Sequence, residues 1–109
     1  MANTFKLKTK ANVGVSTVGI YTAPAATTTV VIGITLSNTS GSAVNVGVGI
    51  TRAGTTEDVK LLKNAPIPQG SSLEFMGGNK VVLETTDTLT VDSDTNNSVD
   101  AALTIMEIT

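Results

Sequence analysis

Cysteine, histidine and tryptophan are all missing from this 109-residue chain, and only Phe5, Tyr21 and Phe75 are aromatic. Without cysteine there is no disulfide staple and no zinc thiolate. Without histidine the commonest general acid–base group is gone, and Ser–His and Cys–His nucleophiles go with it. The carboxylates of Glu57/Asp58, Glu84/Asp87 and Glu107 stand singly beside turns or at strand ends, as solvated charges do. No P-loop occurs, and the glycines of "VGVGI" (Val46 to Ile50) fall inside a strand pattern, where no helix N-terminus receives a phosphate. The chain is expected to have no catalytic residues, no cofactor and no small-molecule substrate.

Long apolar runs are missing too. The longest, "VVIGI" (Val30 to Ile34), is strand-sized and far short of the roughly 20 residues of a membrane helix, so no membrane partner is expected. The N-terminal "MANTFKLKTKANVG" has lysines, but no apolar segment follows them, and synthesis in the cytoplasm without a signal peptide is the expectation. With 40% hydrophobic and 15% charged residues, the chain is too apolar for disorder and long enough for one core. A large aromatic buries about 150–250 Å². With so few of them the core is thin, which favours support from a partner subunit.

Acid is absent from the first half. Residues 1–52 carry Lys6, Lys8, Lys10 and Arg52 with no Asp or Glu, a charge of +4, whereas residues 53–109 carry three lysines against nine acids, a charge of −6. The basic part is "FKLKTK", in which lysines alternate with Phe5 and Leu7. Residues 1–10 thus read as a basic arm that lies across an acidic neighbour or adds a strand to it. The plainer reading is an edge strand whose lysines discourage aggregation. Residues 11–109 form the single domain. Three lysines without a second basic patch or stacking aromatics make a poor nucleic-acid footprint, and no nucleic acid is expected.

What is present is a period of two, nearly everywhere. "TTTVVIGITLSN" sets Val30, Ile32, Ile34 and Leu36 on one face and Thr29, Gly33, Thr35 and Ser37 on the other. "AVNVGVGIT" sets Val44, Val46, Val48 and Ile50 inward and Gly47 and Gly49 outward. The turn cluster "NTSGS" between them predicts a hairpin. Strands also fit "GVSTVGIYT", "VKLLK", "SLEFM", "KVVLE", "TLTVD" and "SVDAALTIMEI". Pro24, Pro66 and Pro68 are placed between strands. "PIPQGSS", "MGGNK" and "DSDTNN" read as corners, the first reversing at Gly70. The fold predicted is all-β: a two-sheet antiparallel sandwich of about eight short strands, Ig-like or jelly-roll-like. Gly33, Gly47 and Gly49 together would leave one smooth outer face, open to close approach by another chain; a twisted or bulged sheet is the simpler account.

One stretch imitates a metal loop. "DSDTNNSVD" matches the first three ligand positions of a calcium loop with Asp92, Asp94 and Asn96. It then departs: Asn97 stands in place of glycine, Leu103 in place of the bidentate glutamate, and the flanks are strands. Because Asx side chains cap local backbone, a hairpin turn is preferred and no metal is expected.

Four passages carry a resemblance: the Tyr-Thr-x-Pro corner from Tyr21 to Pro24, "VIGITLSNT" from Val31 to Thr39, "KNAPIPQGSSL" from Lys63 to Leu73, and "GGNKVVLETTDTL" from Gly77 to Leu89, before a short final strand. From about Phe5 onward the chain resembles small virion structural proteins of tailed bacteriophages, especially phages of marine bacteria and cyanobacteria. The resemblance implies a place in the particle. It points to a capsid decoration or cement protein on the virion surface, with the major capsid protein and copies of itself as partners. By analogy with decoration proteins, a trimer at local three-folds is expected, with contacts through Phe5, Lys6, Leu7, Lys8, Lys10 and the three glycines. An adaptor in the neck, tail or baseplate comes second. A carbohydrate-binding or receptor-binding module comes third, short of aromatics on which to stack sugars.

Overall fold

The computed structural model describes residues 3–52, 57–75 and 80–109. Nine strands follow one another: β1 (Asn3–Val13), β2 (Val18–Thr22), β3 (Thr28–Asn38), β4 (Val44–Arg52), β5 (Glu57–Ile67), β6 (Ser72–Phe75), β7 (Val81–Leu83), β8 (Thr88–Ser93) and β9 (Val99–Ile108). No helix occurs among the described residues. One sheet has the order β1-β9-β3-β6, with β7 also pairing β3; the other has the order β2-β8-β4-β5. Every pairing is antiparallel.

The pairings nest. β4 pairs with β5 at the tip, β3 with β6 and β7, β2 with β8, and β1 with β9. The chain is therefore one long antiparallel hairpin, rolled so that successive rungs fall in alternate sheets. That is a jelly roll, which decides between the two architectures the strand pattern left open. The inner faces enclose a core of aliphatic residues, with Ile34, Leu36, Val46, Val48, Leu89 and Leu103 among those fully buried, and the ring of Tyr21 packs among them.

Three local expectations are corrected. First, β3 and β4 form no hairpin: β3 lies in one sheet and β4 in the other, and "NTSGS" is an arch across the sandwich. Asn38 holds the arch. Its buried amide donates to the carbonyls of Ser42 at 2.8 Å, Ile67 at 2.9 Å and Pro68 at 3.2 Å, and its Oδ1 accepts from the Ser40 amide at 2.9 Å and hydroxyl at 2.8 Å. Second, the register of β3 against β9 shifts between Val31 and Gly33. This bulge puts Thr29 and Val31 inward with Ile34 and Leu36, and leaves Val30 and Ile32 half-buried. Third, Pro66 lies inside β5 opposite Asn45. β5 is an edge strand, where a missing N–H breaks no ladder.

The corner at "PIPQGSS" forms as expected: Gly70 has φ +72° and the Ser71 amide donates to the Pro68 carbonyl at 3.1 Å. In the "MGGNK" corner, Met76 to Asn79 lie outside the described residues.

Candidate interaction surfaces

The basic N-terminal stretch is β1, the edge strand of the first sheet, and it runs on past Lys10 to Val13. Its register assigns each side chain to a face. Lys6, Lys8 and Lys10 stand opposite Ile105, Leu103 and Ala101, which point into the core, so the lysines lie on the inner side of the sheet. Phe5 and Leu7 stand opposite Met106 and Thr104 and point outward, 68% and 66% exposed. Inward-pointing charges on an edge strand oppose pairing with stray chains.

One of these lysines completes a buried network. Lys6 Nζ lies 2.9 Å from Glu107 Oε1, and the Tyr21 hydroxyl donates to Glu107 Oε2 at 2.6 Å. Tyr21 has one proton to give, so in the 2.7 Å contact with Thr29 it is the threonine hydroxyl that donates. Three strands of one sheet and one of the other meet here. The Tyr21 hydroxyl first, then Lys6, hold the Glu107 carboxyl below the usual carboxylate range against the opposing effect of burial. Burial first, then the bond to Glu107, pushes the Tyr21 phenol up to about 12.

The signs follow from linkage. Glu107 contributes stability above its unfolded value of about 4.3, and this is lost as the pH falls through the lower folded value. Tyr21 contributes in full below about 10, its unfolded value, and loses the contribution as the pH rises through about 12. Tyr21→Phe is expected to lower stability by about 2 kcal/mol at pH 7, the range for a bond to a charged group. In urea denaturation the loss should be smaller at an acid pH low enough for Glu107 to take up a proton. An equal loss at both pH values would mean that the hydroxyl does not act through the charge of Glu107.

The three glycines do not share a face. Gly33 lies on the outer side of the first sheet, and a Cβ there would meet nothing within 4 Å. Gly47 and Gly49 belong to the second sheet and are covered by their own chain. A Cβ at Gly47 would come 2.5 Å from Asp92 Oδ1, and one at Gly49 would come 2.8 Å from the Val59 carbonyl. Those two glycines make room for the bulged β5 and for Asp92, which corrects the single smooth face expected from the alternation.

Asp92, Asp94 and Asn96 each hold a different segment. Asp92 Oδ2 accepts from the Thr17 hydroxyl at 3.1 Å and lies 3.6 Å from Lys60 Nζ. Asp94 Oδ1 accepts from the Asn45 amide at 3.1 Å, and Asn96 Oδ1 from the Val15 amide at 3.5 Å. Asn97 makes the turn with φ 51°. Among the described residues no three carboxylates gather as metal ligands would.

A row of residues not identified from the sequence runs across the first sheet. Phe5 of β1 stands opposite Met106 of β9, Met106 opposite Val30 of β3, and Val30 opposite Val82 of β7. All four point outward, and Val82 is 54% exposed. Beside the row, two shallow troughs of about 260 and 280 Å³ are floored by small residues, among them Ala11, Thr35, Ala102 and Gly33. The alternation "FKLKTK" marked Phe5 and Leu7 as opposite to the lysines, but not which side faces the core. The outer side of the second sheet differs: Lys60, Asp92, Thr88, Thr90 and Asn45 make it polar.

No family model and no curated protein matches the chain. Solved structures do resemble it in fold. A structure of Bacillus endospore appendages, a family of disulfide-linked pili, superposes with a TM-score of 0.57 at 14% identity, covering 99% of this chain and 87% of that one. The acid-stable capsid of Helicobacter pylori bacteriophage KHP30 superposes with a TM-score of 0.58 at 10% identity, covering 98% and 87%. A structure of infectious bursal disease virus, strain Gx, gives 0.54 at 12% identity, where this chain covers 98% of itself and 33% of the longer one. At these identities the likeness is one of fold.

Proposed function

We propose that this chain is a structural protein of a virion, and within the virion a capsid decoration or cement protein. The observation that carries the reading is the rolled hairpin itself. It superposes over 98% of the chain on a bacteriophage capsid structure, and the sequence passages quoted above point to the same kind of particle. The residues of the metal-like loop are accounted for in the same way, since Asp92, Asp94 and Asn96 hold the fold together, and Glu107, read as a solvated charge, does so too from a buried position.

The partner in this reading is the major capsid protein. The free edge of β1 offers unpaired backbone groups flanked by Lys8 and Lys10, a site for an added strand carrying acidic side chains. A protein that binds only the assembled lattice stabilises it by mass action. The test is copy number, measured by quantitative mass spectrometry of purified particles against the major capsid protein. One copy, or a simple fraction, per capsid subunit is the expected result. A small ring's worth per particle would instead make the chain a neck or tail adaptor.

A further inference from the structure

We infer that the outer face of the first sheet is a self-association surface, on which a second copy of this chain packs face to face. The in-register row Phe5–Met106–Val30–Val82 crosses it near one end of the strands. Leu7, 66% exposed, lies beside it. A chain with three aromatics has set one of them, Phe5, in solvent on this face. Aromatic and methionine side chains are enriched at interfaces, and charge is depleted from their cores.

Charge and area both favour a second copy as the occupant. On the outward positions of β1, β9, β3, β6 and β7 the only charged residues are Asp100, at one end of β9, and Glu74, on β6. The middle is neutral, so two like faces meet without repulsion. The face is four strands wide and about ten residues long, or about 600 Å² at ordinary strand spacing and rise. Two copies would then bury about 1,200 Å² together, the lower end of the range for specific, stable interfaces. Edge-to-edge pairing of two β1 strands is disfavoured, because antiparallel self-pairing would set the lysine side chains of one copy among those of the other. A face that meets itself closes at two copies. The expected assembly is thus a two-fold dimer in place of the trimer drawn from analogy, whether or not the chain belongs to a virion.

Sedimentation of the full chain against concentration tests this, with three variants that each add one aspartate. Phe5→Asp sits at the β1 end of the row, Val82→Asp at the far end, and Val15→Asp, at an exposed position between β1 and β2, is the control. Far-UV circular dichroism and a thermal melt confirm folding, and Val82→Ser serves as the milder change should Val82→Asp unfold. The wild type is expected to dimerise. Phe5→Asp and Val82→Asp should each raise the dissociation constant about 30-fold or more, as loss of a main contact does, and Val15→Asp should not. A wild type that stays monomeric at high concentration would overturn the inference. So would a dimer that survives Val82→Asp but not Phe5→Asp, since that pattern belongs to pairing through the β1 edge.

Discussion

Asn38→Asp is expected to lower folding stability by about 3–5 kcal/mol, the scale of an uncompensated buried charge. The change is nearly isosteric, so packing is preserved and only the chemistry differs. Asparagine donates to three carbonyl oxygens, those of Ser42, Ile67 and Pro68. Aspartate would present a carboxylate to the same three oxygens, with no proton to give and little water nearby. Asn38→Ala should lose less, because it removes the donor without adding charge. Urea denaturation at pH 7 gives the comparison. Acid should restore part of the stability of Asn38→Asp, since a protonated carboxyl donates one hydrogen bond. A loss below about 0.5 kcal/mol, as for an ordinary surface substitution, would mean that the arch between β3 and β4 does not depend on this side chain.

Removal of Met1 to Lys10 is expected to lower the melting temperature by more than 10 °C, with about 4–8 °C lost per kcal/mol in a domain near this size. The deletion takes away the register from Asn3↔Ile108 to Lys10↔Ala101 and uncovers the edge of β9. It also takes Lys6 from the buried Glu107, which keeps Tyr21 but has no cation left. An arm that serves only a partner would behave otherwise: binding to the particle would be lost while the melt stayed put. Comparison of melts for the full and shortened chains separates the two. A difference under about 2 °C, well below the shift for 1 kcal/mol, would return the first ten residues to the status of an appended arm.

The all-β class and two-sheet form were legible because alternation survives in nearly every segment, and turn residues mark most strand ends. The inward set of β4, from Val44 to Ile50, was also legible, since its alternation runs unbroken. What alternation cannot carry is the identity of the neighbour. β3 and β4 are close in sequence and similar in pattern, yet Asn38 turns the chain into the other sheet. Nor does alternation reveal a one-residue insertion. The bulge near Ile32 reverses the faces before it, so Val30, read as core, stands in the outward row with Met106 and Val82. The same limit hid the parting of the glycines: Gly33 and Gly47 look equivalent until the sheets are assigned. Tyr21 and Glu107 lie too far apart in the chain for any local pattern to join them.

The order of synthesis gives the rolled hairpin a further meaning. β1 leaves the ribosome well before its partner β9, so the ladder from Asn3 to Ile108 forms only once Ile108 has been made. Closure between such distant residues is slow. Until then Phe5 and Leu7 stand on a bare strand, among other copies still being made. Lys6, Lys8 and Lys10 alternate with these apolar residues and keep such strands apart by repulsion. The charges that in the finished protein face inward at the sheet's edge thus act as gatekeepers of the nascent chain, before there is a sheet for them to edge.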